Sequence, residues 1–170
     1  MSVVRPIIAE FQQEVVATRR LLERVPEEHF DWRPHAKSMT LRELASHIVD
    51  SFSWLESIVR QDELVMDPAT FEPWLATSRE HLLDTFDRNV DAAIAVLESQ
   101  PDDVMLADWA MKLGERTVFA APRIAVVRMF TLGHHIHHRG QLDVYLRLKD
   151  VPLPQIYGPT ADEPDMAPVD

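Results

Sequence analysis

The chain has 170 residues, no cysteine, and 17 lysines and arginines against 28 aspartates and glutamates, for a net charge of −11. That length suits one domain with a sizeable core, and the missing cysteines exclude disulfides and thiolate metal sites. The acidic balance argues against nucleic-acid binding, which draws on phosphate neutralisation. With no apolar run of roughly 20 residues and no leader-like start, a cytoplasmic protein without membrane partners is expected.

Four segments carry helical spacing. The first covers about residues 3–25, with Ile7, Phe11, Val15 and Leu22 on one stripe, and stops before Pro26. The second opens on a capping box, Thr40 with Glu43 three residues on, and its stripe runs from Leu41 through Ile48 to Val59. Acidic, proline-containing sequence from Asp62 to Pro73 reads as a connecting loop. The third helix shows the same start signal in Thr77 and Glu80 and reaches about Ser99. Residues 101–121 are irregular, and Lys112-Leu113-Gly114-Glu115 suggests a turn between extended pieces. The fourth helix begins near Pro122, a residue favoured in a first turn, and continues to about Lys149.

With no convincing sheet, the expected fold is an all-α four-helix bundle over residues 1–150. Residues 151–170 form a proline-rich acidic tail that offers Ile156 and Tyr157 for docking on it. Gly133 and Gly140 weaken the fourth helix, which suggests close packing against another helix or across a dimer interface.

Four of the eight histidines fall in His134-His135-Ile136-His137-His138. On a helix His134 and His138 stack one turn apart, on the face that also holds Val127, Thr131, Leu142 and Tyr145. His135 and His137 point to either flank, His137 outward. Two imidazoles at this spacing can grip one ion, and they can equally be semi-buried histidines bonded to backbone or carboxylates. His47 lies mid-helix at the edge of the second apolar stripe, either a boundary histidine or a third ligand. His29, His35 and His81 sit among polar neighbours and look solvated. Three histidines without a fourth protein ligand describe a site with open positions, and imidazole ligation suits Zn²⁺, Ni²⁺, Cu²⁺ or Fe²⁺. Around such a site Arg139 could meet an anionic substrate group, though a solvated arginine is the simpler reading, and Tyr145 reads as a rim tyrosine.

The run from Gly133 to Leu142 (GHHIHHRGQL) resembles the signature of the DinB/YfiT-like superfamily. So do Trp32-Arg33-Pro34, the Ser38–His47 helix start and Tyr157-Gly158-Pro159. The resemblance implies a four-helix bundle in up-down-down-up order and a metal triad at His47, His134 and His138. It also implies one divalent ion, zinc or nickel, and a homodimer. Its characterised members include metal-dependent enzymes that use low-molecular-weight thiols. A thiol-dependent transferase or a hydrolase acting on a small molecule is therefore one expectation. A non-catalytic metal-binding stress protein is the alternative, and an accidental histidine cluster the third. A substrate-sized opening beside the ion favours the enzyme; a site plugged by Trp54 favours the second reading. No catalytic residue stands out.

Overall fold

A computed structural model describes residues 2–165. Its first helix, α1 (Val4–Leu22), buries Ile7, Phe11, Leu21 and Leu22. At α2 (Leu41–Asp50) the capping box forms as the sequence indicates. Glu43 N donates to Thr40 Oγ1 at 3.1 Å and Thr40 N to Glu43 Oε2 at 2.6 Å.

The second helical segment is not continuous. Ser51 and Ser53 turn their hydroxyls back onto the carbonyls of Ile48 and Asp50, at 3.0 and 2.7 Å. Such back-bonding competes with the helical ladder, and the chain restarts as α3 (Trp54–Arg60). The third long helix, α4 (Arg79–Glu98), starts one residue later than the Thr77 signal suggests. Ser78 is the cap, its Oγ accepting from His81 N at 3.0 Å. Thr77 Oγ1 instead meets the His81 ring, at 3.0 Å.

An all-α fold is contradicted by a three-stranded sheet. The expected loop contains β1 (Glu63–Met66), and the irregular region contains a short α5 (Asp102–Leu106), β2 (Asp108–Leu113) and β3 (Arg116–Pro122). β2 and β3 form an antiparallel hairpin whose turn carries Gly114 at φ +57°, a conformation that favours glycine. β1 joins β2 in parallel, Leu64 opposite Met111, with α4 in the crossover between them. Four residues are too few to show alternation against an acidic background, and the partner strand lies far along the chain. Nothing local announces the pairing.

The last long stretch comprises α6 (Arg123–Val127), a π-helical segment at Arg128–Gly133, and α7 (His134–Arg147). Arg123, 5% exposed, staples this corner by donating to the carbonyls of Ile58, Gln61 and Asp108 and to Asp62 Oδ1. Gly133 and Gly140 do not mark close packing within the chain. A Cβ at Gly140 would meet nothing within 4 Å, and one at Gly133 would make only an ordinary contact.

α1, α2, α4 and α7 converge on Phe52, in the α2–α3 turn. Its ring meets Phe11 and Phe86 edge-on, each at 5.4 Å, and stacks on His135 at 3.5 Å. Beyond α7, Leu153 is buried and Ile156 packs against the core, while Arg20 reaches Glu163 at 2.7 Å. Among the described residues no helix is long and apolar enough to cross a membrane.

Candidate metal centre

α7 is docked on α2 by a histidine that the sequence reading placed on a flank. His135 is 2% exposed, and its Nε2–H donates to the carbonyl of Ile48 at 2.7 Å, with Ser51 Oγ at 3.2 Å. A carbonyl can only accept, so Nε2 carries a proton. Burial pushes this imidazole down to about 3. Because Ile48 follows His47 and His135 follows His134, the bond that fastens the two helices also brings His134 onto His47.

The Nε2 atoms of His47 and His134 lie 2.9 Å apart. His138 completes the group, its ring centre 4.6 Å from that of His47 and 4.3 Å from that of His134. One ligand nitrogen from each of the three falls within 4.8 Å of the others, and all three rings are half-buried. His138 Nδ1–H donates to Gln141 Oε1 at 2.7 Å, which leaves Nε2 as its free lone pair. Burial, reinforced by the neighbouring imidazoles, holds all three histidines below the usual value, His134 at about 4. They are therefore neutral at pH 7, the form that binds metals. Tetrahedral ligation with metal–nitrogen bonds of about 2.0–2.1 Å spaces nitrogens about 3.3 Å apart, so small ring rotations fit this group to one ion.

Through His47 the triad borders a cleft of about 750 Å³. Its walls are the His47 face of α2, Trp54 and Ile58 of α3, the loop around Phe71 and Trp74, and the sheet. Leu64, Val65 and Met66 of β1 and Trp109 and Met111 of β2 line it from the sheet. Trp54 stands against the triad, 5.6 Å from His47 and 5.7 Å from His134 between ring centres. It is a wall of the cleft and leaves its volume open.

A helical body, a sheet lining a cleft, and three histidines from two helices can be compared with known proteins. The DinB family model matches residues 1–167. The chain belongs to the DinB family. Two uncharacterised Bacillus subtilis (strain 168) proteins are similar. YrdA is 27% identical over 156 residues, 92% of this chain and 89% of YrdA. YjoA is 22% identical over 143 residues, 83% of this chain and 87% of YjoA. The crystal structure of the DinB-like YjoA superposes with a TM-score of 0.69 at 21% identity, covering 89% of this chain and 96% of that one. A DinB-like protein from Bacillus cereus ATCC 10987 gives 0.66 at 22% identity, covering 86% and 92%. At these identities the solved DinB structures speak for the fold alone.

The three histidines singled out in the sequence thus meet in space, and His137 is exposed as expected. His35 is exposed, while His81 packs on Trp74 at 5.1 Å. Tyr145 spends its hydroxyl on the Met39 carbonyl at 3.3 Å. Arg139 is neither solvated nor open to a substrate. It is 2% exposed and pairs with Glu14 at 2.6 Å, donates to Thr18 Oγ1 at 3.3 Å and contacts the Tyr157 hydroxyl. The buried stripe of α7 is His135, Arg139, Leu142 and Leu146, and a count of apolar positions back from Leu146 would have found it. Asp50, three residues beyond His47, also lies on the cleft wall, and no motif in the sequence marks it.

Proposed function

We propose that this protein holds one divalent metal ion on His47, His134 and His138 and works as a metal-dependent enzyme on a small molecule bound in the adjoining cleft. The observation that carries this reading is the convergence of three neutral imidazoles beside an open, mostly apolar cleft. The helical frame is read as a four-helix bundle, α1, α2, α4 and α7 in up-down-down-up order, with the sheet as an added wall. Zinc and nickel both suit three imidazoles.

An ion held there supplies Lewis-acid chemistry to a thiol or a water brought beside it. The chain's own residues do the rest. Gln141 holds the His138 proton on Nδ1, His135 fixes the spacing of α7 on α2, and the tryptophan and methionine walls exclude water. Thiol-dependent transfer or hydrolysis is the reaction class. A non-catalytic metal-binding stress protein is the second reading, favoured by Trp54 packing directly on two of the histidines.

A homodimer fits the exposed face of α7, where Val144 and Leu148 are each 56% exposed beside Gly140. The reading includes a cytoplasmic setting and, given the net charge of −11, no nucleic-acid partner.

The test is bound metal, measured by plasma mass spectrometry on untagged protein and on His47→Ala and His138→Ala. About one ion per chain, lost in both variants, is expected for an open three-histidine site. Metal retained by His47→Ala would confine binding to α7 and remove the basis of the proposal.

A further inference from the structure

The cleft carries a charge pattern of its own. Among the described residues, the ionisable side chains on its wall besides His47 are Glu43, Asp50 and Asp67, all acidic, and no lysine or arginine lines it. Two of the three carboxylates are already engaged with backbone. Glu43 closes the capping box of α2, and Asp67 accepts from Ala69 N at 2.9 Å. Asp50 is different. It is half-buried at the C-terminal end of α2, where the helix dipole already favours positive charge. Among the described residues it joins no ion pair. Burial raises its pKa, opposed by hydrogen bonds from Trp54 and Ser53.

Aromatic side chains share the cleft with this carboxylate, and one of them, Trp54, donates to it. Trp54 and Trp74, both half-buried, line the cleft with Phe71 and Phe130. The arginine that a sequence motif offered for an anionic substrate is buried against Glu14 instead. An anion entering the cleft would meet carboxylates and no lysine or arginine among the described residues. An alkylammonium group would meet a carboxylate with no ion-pair partner among the described residues and electron-rich indole faces, the combination that recognises organic cations.

We infer that the cleft binds an apolar organic cation, with Asp50 as its counter-charge and Trp54 and Trp74 as its aromatic walls. The inference rests on reading this cleft as the substrate site of the proposed enzyme. It does not require the ion for binding: a divalent charge on the triad opposes a cation in the cleft, so removing metal leaves affinity equal or higher.

Benzyltrimethylammonium is the probe, titrated by calorimetry into chelator-treated and metal-loaded protein. Phenylacetate serves as the anionic counterpart, in the chelator-treated protein only, where its carboxylate cannot gain from the ion. Saturable binding of the cation to both forms is expected, with phenylacetate at least about tenfold weaker. Asp50→Asn should lose about tenfold in cation affinity while keeping its metal content. Trp74→Ala should weaken binding several-fold, and Trp74→Phe should restore most of it. Phenylacetate binding as well as the cation, or unchanged affinity in a folded Asp50→Asn, would overturn the inference. So would absence of cation binding to either form. Failure of the wild type to hold metal would instead remove the metal-enzyme reading and leave the calorimetry interpretable.

Discussion

Replacing Arg139 by methionine tests whether the arginine of the Arg-Gly-Gln run serves substrate or structure. The side chain is 2% exposed and its partner Glu14 15%. Removing one member of such a pair strands the other charge, a loss of about 3–5 kcal/mol. Tyr157 continues to donate to Glu14 Oε2, at 2.8 Å, and Thr18 to the Glu14 carbonyl, also at 2.8 Å, so the lower end applies. For a chain of this length about 3 kcal/mol corresponds to a fall in Tm of about 6–12 °C. Thermal unfolding followed by circular dichroism at pH 7 measures it. Converting the pair together, Glu14→Leu with Arg139→Met, leaves apolar groups in place of charges and should recover most of the loss. A Tm in Arg139→Met within about 2 °C of wild type would show that the pair contributes little, and the structural assignment would be withdrawn.

Gln141→Leu removes the acceptor that fixes the His138 tautomer, and metal affinity should fall about 10–100-fold with Tm little changed. Competition with a chromophoric chelator reads this, and an unaltered affinity would mean that the Gln141 contact is incidental. Acid should destabilise the metal-free protein through His135. Its folded pKa of about 3 lies below the unfolded value of about 6.5, so the unfolded chain takes up the proton first. Its contribution is complete above about pH 6.5 and is lost as pH falls toward 3, at up to about 1.4 kcal/mol per pH unit. Urea unfolding between pH 6.5 and 5 should show a slope shallower by about that amount in His135→Gln. Equal slopes in the two proteins would contradict the buried neutral ring. Val144→Glu on the exposed face of α7 should shift a homodimer to monomer in light scattering, and a mass unchanged by the variant would place any interface elsewhere.

The sequence alone determined what is local. Helical stretches follow from apolar spacing, the Thr40–Glu43 box from residues three apart, and the stacking of His134 over His138 from one helical turn. The absence of cysteine confined any metal to nitrogen and oxygen ligands. Tertiary structure decided the rest, because it depends on how a helix is rotated against its neighbours. His47 joins a histidine 87 residues away only because the His135–Ile48 bond docks α7 on α2. The π-helical segment at Arg128–Gly133 breaks the 3.6-residue phase, so residues before it do not predict which side of α7 faces inward. That side turned out to carry His135 and Arg139, polar residues whose burial is affordable only with the partners Ile48, Ser51 and Glu14. The sheet was equally hidden, since β1 is four residues long and acquires its ladder from a strand beyond α4. Strand pairing and helix rotation are settled by contacts between distant segments, and those contacts gave His47, Asp50, Trp54 and Trp74 one cleft to line.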